Sequence, residues 1–254
     1  MSVKTQQFLF NVWLDLLAIL WPTSCLGCGL QDRDLCQACS QTLVESRNLI
    51  KVKPKTAVKV NSSTTSAIDS QQVWISAGVY ESILQKAIVA LKHQGRLHVA
   101  KVLGAVLAPA LTEAFKDLGV QQPVCLVLIP SRRSKERERG FSHLEMVTKN
   151  ALKLISVHAP IKKRVLITTR GRTGQVGLDE QERMVNAARI KIKPGFKKTI
   201  SNKNILLIDD VITTGATLNA ASELLERHGA RVLGAVTLSI AQKRSQKALE
   251  QHGR

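Results

Sequence analysis

At 254 residues, 44% of them apolar, the chain can build one large α/β domain, or an ordinary domain with a small appendage. That fraction, with only seven prolines, excludes wholesale disorder and a collagen-like or coiled-coil rod. Lys and Arg outnumber Asp and Glu 37 to 19, a formal charge of +18, so the expected partner is an anion: nucleic acid, a membrane surface or a polyphosphate small molecule.

The first predicted element is a helix over Phe8–Trp21, where Leu9, Val12, Trp13, Leu16, Leu17 and Leu20 fall at helical spacing before Pro22. Asp15 interrupts the apolar run, Lys4 is its only basic flank, and it falls short of the roughly 20 residues a spanning helix needs. No transmembrane segment is therefore expected, and the protein reads as cytoplasmic, with the inner membrane face as a second location. Next come Cys25, Cys28, Cys36 and Cys39, two Cys-x-x-Cys pairs whose four thiolates can close a tetrahedral shell. Structural zinc is the expected occupant.

Residues 51–72 hold four lysines in their first nine positions and then a Ser/Thr run, which predicts a flexible linker. The expected organisation is thus a helix and cysteine knuckle over 1–50, the linker, a main domain over 73–244 and a basic tail over 245–254. In the main domain, strands are predicted at Val73–Gly78, Val124–Ile129, Val165–Thr168, Ile205–Ile208 and Val232–Leu238. Helices are predicted at Glu81–His93, Leu97–Lys116, Ser142–Ser156 and Thr217–His228. Unbroken apolar strands alternating with helices predict an α/β fold, a parallel sheet covered on both faces, with ligands at the carboxyl ends of its strands. Cys125 falls inside one such strand and reads as a buried, inert thiol.

The most informative stretch runs from Ile205 to Leu218: four apolar residues, then Asp209-Asp210-Val211-Ile212, then Thr213-Thr214-Gly215-Ala216-Thr217 opening a helix. A turn that opens a helix offers backbone N–H groups and the positive end of the dipole, which together suit a phosphate. The three threonines add hydroxyl donors, and Gly215 lets the backbone approach the ligand. Two adjacent carboxylates at the rim suit the cis hydroxyls of a ribose. Upstream, the strand ending at Ile129-Pro130 leads into Ser131-Arg132-Arg133-Ser134-Lys135-Glu136-Arg137-Glu138-Arg139-Gly140-Phe141, a basic loop at a strand's carboxyl end whose Arg forks match phosphate oxygens.

The Ile205–Leu218 stretch closely resembles the 5-phosphoribosyl-1-pyrophosphate (PRPP) motif of type I phosphoribosyltransferases. The wider arrangement resembles the ComF family within that superfamily. It is carried by Pro22 with the cysteine pair, Tyr80, Leu91-Lys92, Pro130, Arg132-Arg133, Arg139-Gly140-Phe141, Gln175 with Leu178, Arg183 and Asn186. The resemblance implies a type I phosphoribosyltransferase-like sheet behind a small four-cysteine zinc module, binding PRPP with Mg2+. It implies Asp209 and Asp210 as catalytic carboxylates on the ribose, and Val211, Thr213, Thr214, Gly215, Ala216 and Thr217 around the 5′-phosphate. Ser131, Arg132, Arg133 and Lys92 would meet the pyrophosphate. A mobile arm starting at Arg170 would close over the ligand, with Gln175 and Arg183 as polar contacts.

The resemblance also implies a role in natural competence, with single-stranded DNA and the DNA-uptake machinery as partners, and leaves open whether the chain is an enzyme or a non-catalytic, PRPP-regulated DNA-binding protein. Three departures stand out. Gly140-Phe141-Ser142-His143 replaces the Gly-Phe-Asn-Gln of many members, Ala188 stands where a Phe is usual, and the linker stands where many members carry a second cysteine cluster.

Overall fold

The computed structural model describes residues 23–54, 72–119, 123–131, 133–156, 161–162, 165–169 and 189–241. The helix expected at Phe8–Trp21, most of the linker, Arg132, the arm from Arg170 to Asn186 and the basic tail lie outside the described residues.

Six strands form the main sheet, in the order β1-β2-β8-β7-β3-β4. They are β1 (Ile50–Val52), β2 (Val73–Ser76), β3 (Val124–Leu128), β4 (Ile161–Lys162), β7 (Asn204–Ile212) and β8 (Arg231–Ile240). Every neighbouring pair is parallel except β1 with β2. The central strands are apolar without interruption because both of their faces are covered. Leu206 and Ile208 of β7 enter one core with Leu126 and Leu128 of β3, whereas Ile205 and Leu207 enter the other with Val127 and Ile129.

The first core is closed by α2 (Ser82–His93), α3 (Val99–Leu118) and α5 (His143–Leu152), through residues such as Ile88, Leu103, Leu107, Leu144 and Val147. The second is closed by α7 (Ala216–Glu226), through Leu218, Ala221 and Leu225, and by Ile200 of the short α6 (Lys197–Ile200). Gly104 lets α3 and α5 meet closely, since a Cβ there would lie 2.6 Å from the Asn150 Cβ and 3.0 Å from the Ala151 backbone nitrogen. This contact sets the position of α5, whose first residue is His143. Cys125 is buried in β3, as expected.

Four features differ from the sequence reading. First, Lys51 and Val52, expected in the linker, belong to the edge strand β1, where the exposed Lys51 pairs with Glu113 at 3.0 Å and Asp117 at 2.7 Å on α3. A charged residue on an edge strand is compatible with the sheet, since its side chain stays in water. Second, the basic stretch after Ser131 is not a loop throughout: residues 133–139 form α4, a short helix. Charges of opposite sign at helical spacing support it, as Lys135 and Glu138 pair at 2.9 Å.

Third, Leu166–Thr168 does not join the main sheet but pairs antiparallel with Ile190–Ile192 as a separate ribbon, β5 with β6. Its few apolar residues satisfy the second core from that position. Fourth, β7 does not end at Ile208 but continues through the acidic pair to Ile212, held by pairing of Asp209 with Thr237 and of Val211 with Ser239 on β8.

The cysteine segment is built into this body. Its helix α1 (Gln37–Glu45) buries Leu43 in the first core, and Arg96 donates to the Ser24 carbonyl at 2.8 Å and lies 3.6 Å from Asp34.

Candidate functional site

Register brings the site together. Leu128 of β3 pairs with Ile208 of β7, and Thr237 of β8 with both Asp209 and Ser76, so the carboxyl ends of four strands share one edge. Asp209 and Asp210 stand there near the end of β7, and Ser131 follows β3 at the same edge. Thr213, Thr214 and Gly215 connect β7 to α7.

Gly215 caps α7 from a left-handed conformation, φ +78°, which side chains other than glycine adopt at a cost of about 1–2 kcal/mol. Space demands glycine as well, because a Cβ would stand 2.8 Å from Cζ3 of the buried Trp74. The helix opens with no side-chain cap from Gly215, while the Ala216 N–H donates to Thr214 Oγ1 at 3.3 Å. Thr217 is buried at the first turn. This short loop therefore gathers backbone N–H groups and hydroxyls around a helix N-terminus.

Asp210 is the best-defined acid. Its Oδ2 receives Lys92 Nζ at 2.5 Å and His143 Nε2 at 2.8 Å, and its carbonyl receives Ser239 Oγ at 3.3 Å. Its own N–H donates to Asp209 Oδ1 at 2.8 Å, which ties the two acids together. Burial opposes ionisation of Asp210, yet the Lys92 charge and the His143 hydrogen bond outweigh it and hold the carboxyl well below the usual range. The pairing is reciprocal: burial works against the Lys92 charge, but Asp210 and Asp209 more than restore it. The Lys92 ammonium, a candidate for pyrophosphate, pairs with Asp210.

His143 is a functional candidate that sequence reasoning missed. It is 3% exposed, and burial lowers its pKa despite Asp210, so the ring is neutral and Nε2–H is the donor. Nδ1 is then an acceptor, and it finds no partner among the described residues. The available signal was the departure at Ser142-His143, read as a variation of the loop. His93 is shifted the same way, by burial and then by Lys92 and Arg139. Arg139 donates to the Lys92 carbonyl at 3.1 Å, linking α4 to the end of α2. Of the predicted arm, Arg170, Gln175 and Arg183 lie outside the described residues, as does Arg132.

The second candidate site is the cysteine cluster. The Sγ atoms of Cys25, Cys28, Cys36 and Cys39 all lie within 4.8 Å of one another, with Cys28 and Cys36 at 3.7 Å. Tetrahedral zinc with bonds of about 2.3 Å spaces its sulfurs at close to that distance, so the donor set fits the ion. Backbone N–H groups already point at sulfur: Cys36 N to Cys25 Sγ at 3.3 Å and Cys39 N to Cys36 Sγ at 3.4 Å. Burial alone would raise the Cys25 pKa, but such N–H donors bring it down to about 6. Gly27 makes room for the cluster, since a Cβ there would lie 2.5 Å from Cys39 Sγ. No described helix is long and apolar enough to cross a membrane.

Known proteins match this architecture. A family model described as a phosphoribosyl transferase domain matches residues 104–253, more than half of the chain. Competence protein F of Haemophilus influenzae is 26% identical over 154 residues, 60% of this chain and 66% of that protein. DNA utilization protein YhgH of Escherichia coli is 24% identical over 159 residues, 61% of this chain and 66% of that protein. Competence protein ComFC of Streptococcus pneumoniae is 33% identical over 130 residues, 51% of this chain and 53% of that protein. The matches thus span just under two thirds of the first two relatives and about half of the third. On the matched domain and these relatives, the chain belongs to the phosphoribosyltransferase domain family, in its ComF branch.

Proposed function

We propose that the protein binds PRPP with Mg2+ at the carboxyl edge of its sheet and acts in natural competence or DNA utilisation. The observation that carries this reading is the folded form of Ile205–Thr217: a buried central strand bearing Asp209 and Asp210, a three-residue loop, and a helix opened by a left-handed Gly215. Thr213, Thr214, Gly215, Ala216 and Thr217 take the 5′-phosphate on N–H and O–H donors, with Val211, still on β7, between them and the two acids. Asp209 and Asp210 accept hydrogen bonds from the ribose hydroxyls. Ser131, Arg132 and Arg133 meet the pyrophosphate.

In a transfer reaction these residues act mainly by electrostatics, holding the ribose while charge leaves with pyrophosphate. Asp209 and Asp210 are the carboxylates that would hold Mg2+, directly or through water, and the ion would supply neutralisation of part of the charge that leaves with pyrophosphate. The test is calorimetric titration with PRPP, with and without Mg2+, beside the Asp209→Asn/Asp210→Asn double variant. Mg2+-dependent binding that the variant loses is expected. A folded, metal-loaded wild-type protein that binds no PRPP would overturn the reading.

A second reading has its own support in the +18 charge and in relatives named for DNA utilisation: a non-catalytic, PRPP-regulated protein that binds single-stranded DNA. Asp209→Asn separates the two readings, because it abolishes phosphoribosyl transfer but leaves the affinity of a pure DNA binder intact.

A further inference from the structure

Three residues far apart in sequence converge on one oxygen. Lys92 lies in the last turn of α2, His143 opens α5, and both donate to Oδ2 of Asp210 near the end of β7, at 2.5 and 2.8 Å. The other oxygen, Oδ1, receives no hydrogen bond among the described residues, and the side chain keeps 13% of its surface exposed. Each donor is itself held. Arg139 fixes the Lys92 carbonyl at 3.1 Å, and Ser142 caps α5 by accepting from the Glu145 N–H at 3.4 Å.

The two donors are unlike in charge, and that difference has a use. The Lys92 ammonium neutralises a carboxylate that would be costly to bury alone. A second cation on the same oxygen would repel the first, so the partner has to be a neutral donor. A buried histidine at the first turn of a helix meets that requirement, because burial and the positive end of the dipole both disfavour its protonation.

We propose that Lys92 and His143 are positioning residues for Asp210: together they commit Oδ2 to the protein and present Oδ1, in a fixed rotamer, to a ribose hydroxyl. The inference rests on the ribose-phosphate reading above and assigns the specificity of that site to residues outside the PRPP motif. His143 acts by orienting Asp210 and does not touch the sugar. A glutamine in its place keeps the role, since its amide nitrogen reaches where the imidazole Nε2 sits and also donates.

The experiment compares binding of ribose 5-phosphate with that of its 2-deoxy and 3-deoxy analogues by calorimetry, in wild type, His143→Ala, His143→Gln and Lys92→Met. Thermal melts show that each variant is folded. In His143→Ala, affinity for ribose 5-phosphate should fall about tenfold, the worth of one charge-assisted hydrogen bond. Affinity for one of the deoxy analogues should barely change, so discrimination collapses, and His143→Gln should restore it. Lys92→Met should lose discrimination in the same direction, and its failure to fold would leave the histidine pair as the deciding comparison.

Equal losses for sugar and analogues in His143→Ala, without rescue by glutamine, would mean a merely structural role and overturn the proposal. So would unchanged affinity and discrimination, with the ribose-phosphate reading still standing. A wild-type protein that binds neither PRPP nor ribose 5-phosphate removes both that reading and this one.

Discussion

Asp210 and His143 give the site a pH dependence whose sign follows from their shifts. His143 is held neutral, its pKa lowered by burial, and His93 is lowered in the same sense. A group whose pKa falls on folding stabilises the native state above its unfolded value and loses that contribution as pH falls through the folded one. Stability should therefore start to decline below about pH 6.5 as the unfolded chain gains histidine protons. A second decline, from Asp210, should begin near its unfolded value of about 3.9. Urea melts across this range should show both phases, with His143→Gln flattening the first and Asp210→Asn the second. An unchanged first phase in His143→Gln would mean that His143 titrates in the native state much as it does unfolded. Gly215 carries a separate prediction. Gly215→Ala meets both the positive φ and the Trp74 ring, so its melting temperature should drop and its PRPP affinity should fall, and a neutral effect on both would contradict the loop geometry.

At the scale of elements, the cysteine knuckle is a part of the domain and not a separate bead. Leu43 lies in the first core, and Arg96 reaches back to Ser24 and Asp34. A metal that orders residues 25–39 should then stabilise α2 and α3 as well, because binding only the folded form shifts the folding equilibrium. Chelation should lower the melting temperature of the whole domain in a single transition. Gly27→Ala should lose zinc to a competing chelator faster than wild type, since the added methyl intrudes on Cys39 Sγ, and metal analysis after dialysis decides this. Equal retention by wild type and variant would show that the knuckle relaxes around the methyl group. The α3 and α5 contact at Gly104 matters in the same way, as the seat of the helix that carries His143.

For the whole molecule, the charge of +18 sets the expectation for nucleic acid. If single-stranded DNA is neutralised at about six phosphates, affinity should drop about 300-fold between roughly 50 and 200 mM salt. Fluorescence titrations across that range measure the slope, and affinity independent of salt would exclude a mainly electrostatic DNA partner. The strand and helix order, the paired cysteines and the Ile205–Thr217 stretch were legible in the sequence because each depends on residues close together in the chain. Periodicity shows which face is buried, Cys-x-x-Cys spacing fixes a turn, and a strand, loop and helix in succession set two acids beside a helix N-terminus locally. The continuation of β7 to Ile212 and the separate β5 and β6 ribbon were not legible, since pairing partners decide them. Nor was the union of Lys92, His143 and Asp210, whose ammonium, imidazole and carboxylate come from three elements. Only packing of α2 and α5 against the sheet brings those groups within hydrogen-bond distance, where burial and mutual charge, and not residue type alone, set their protonation.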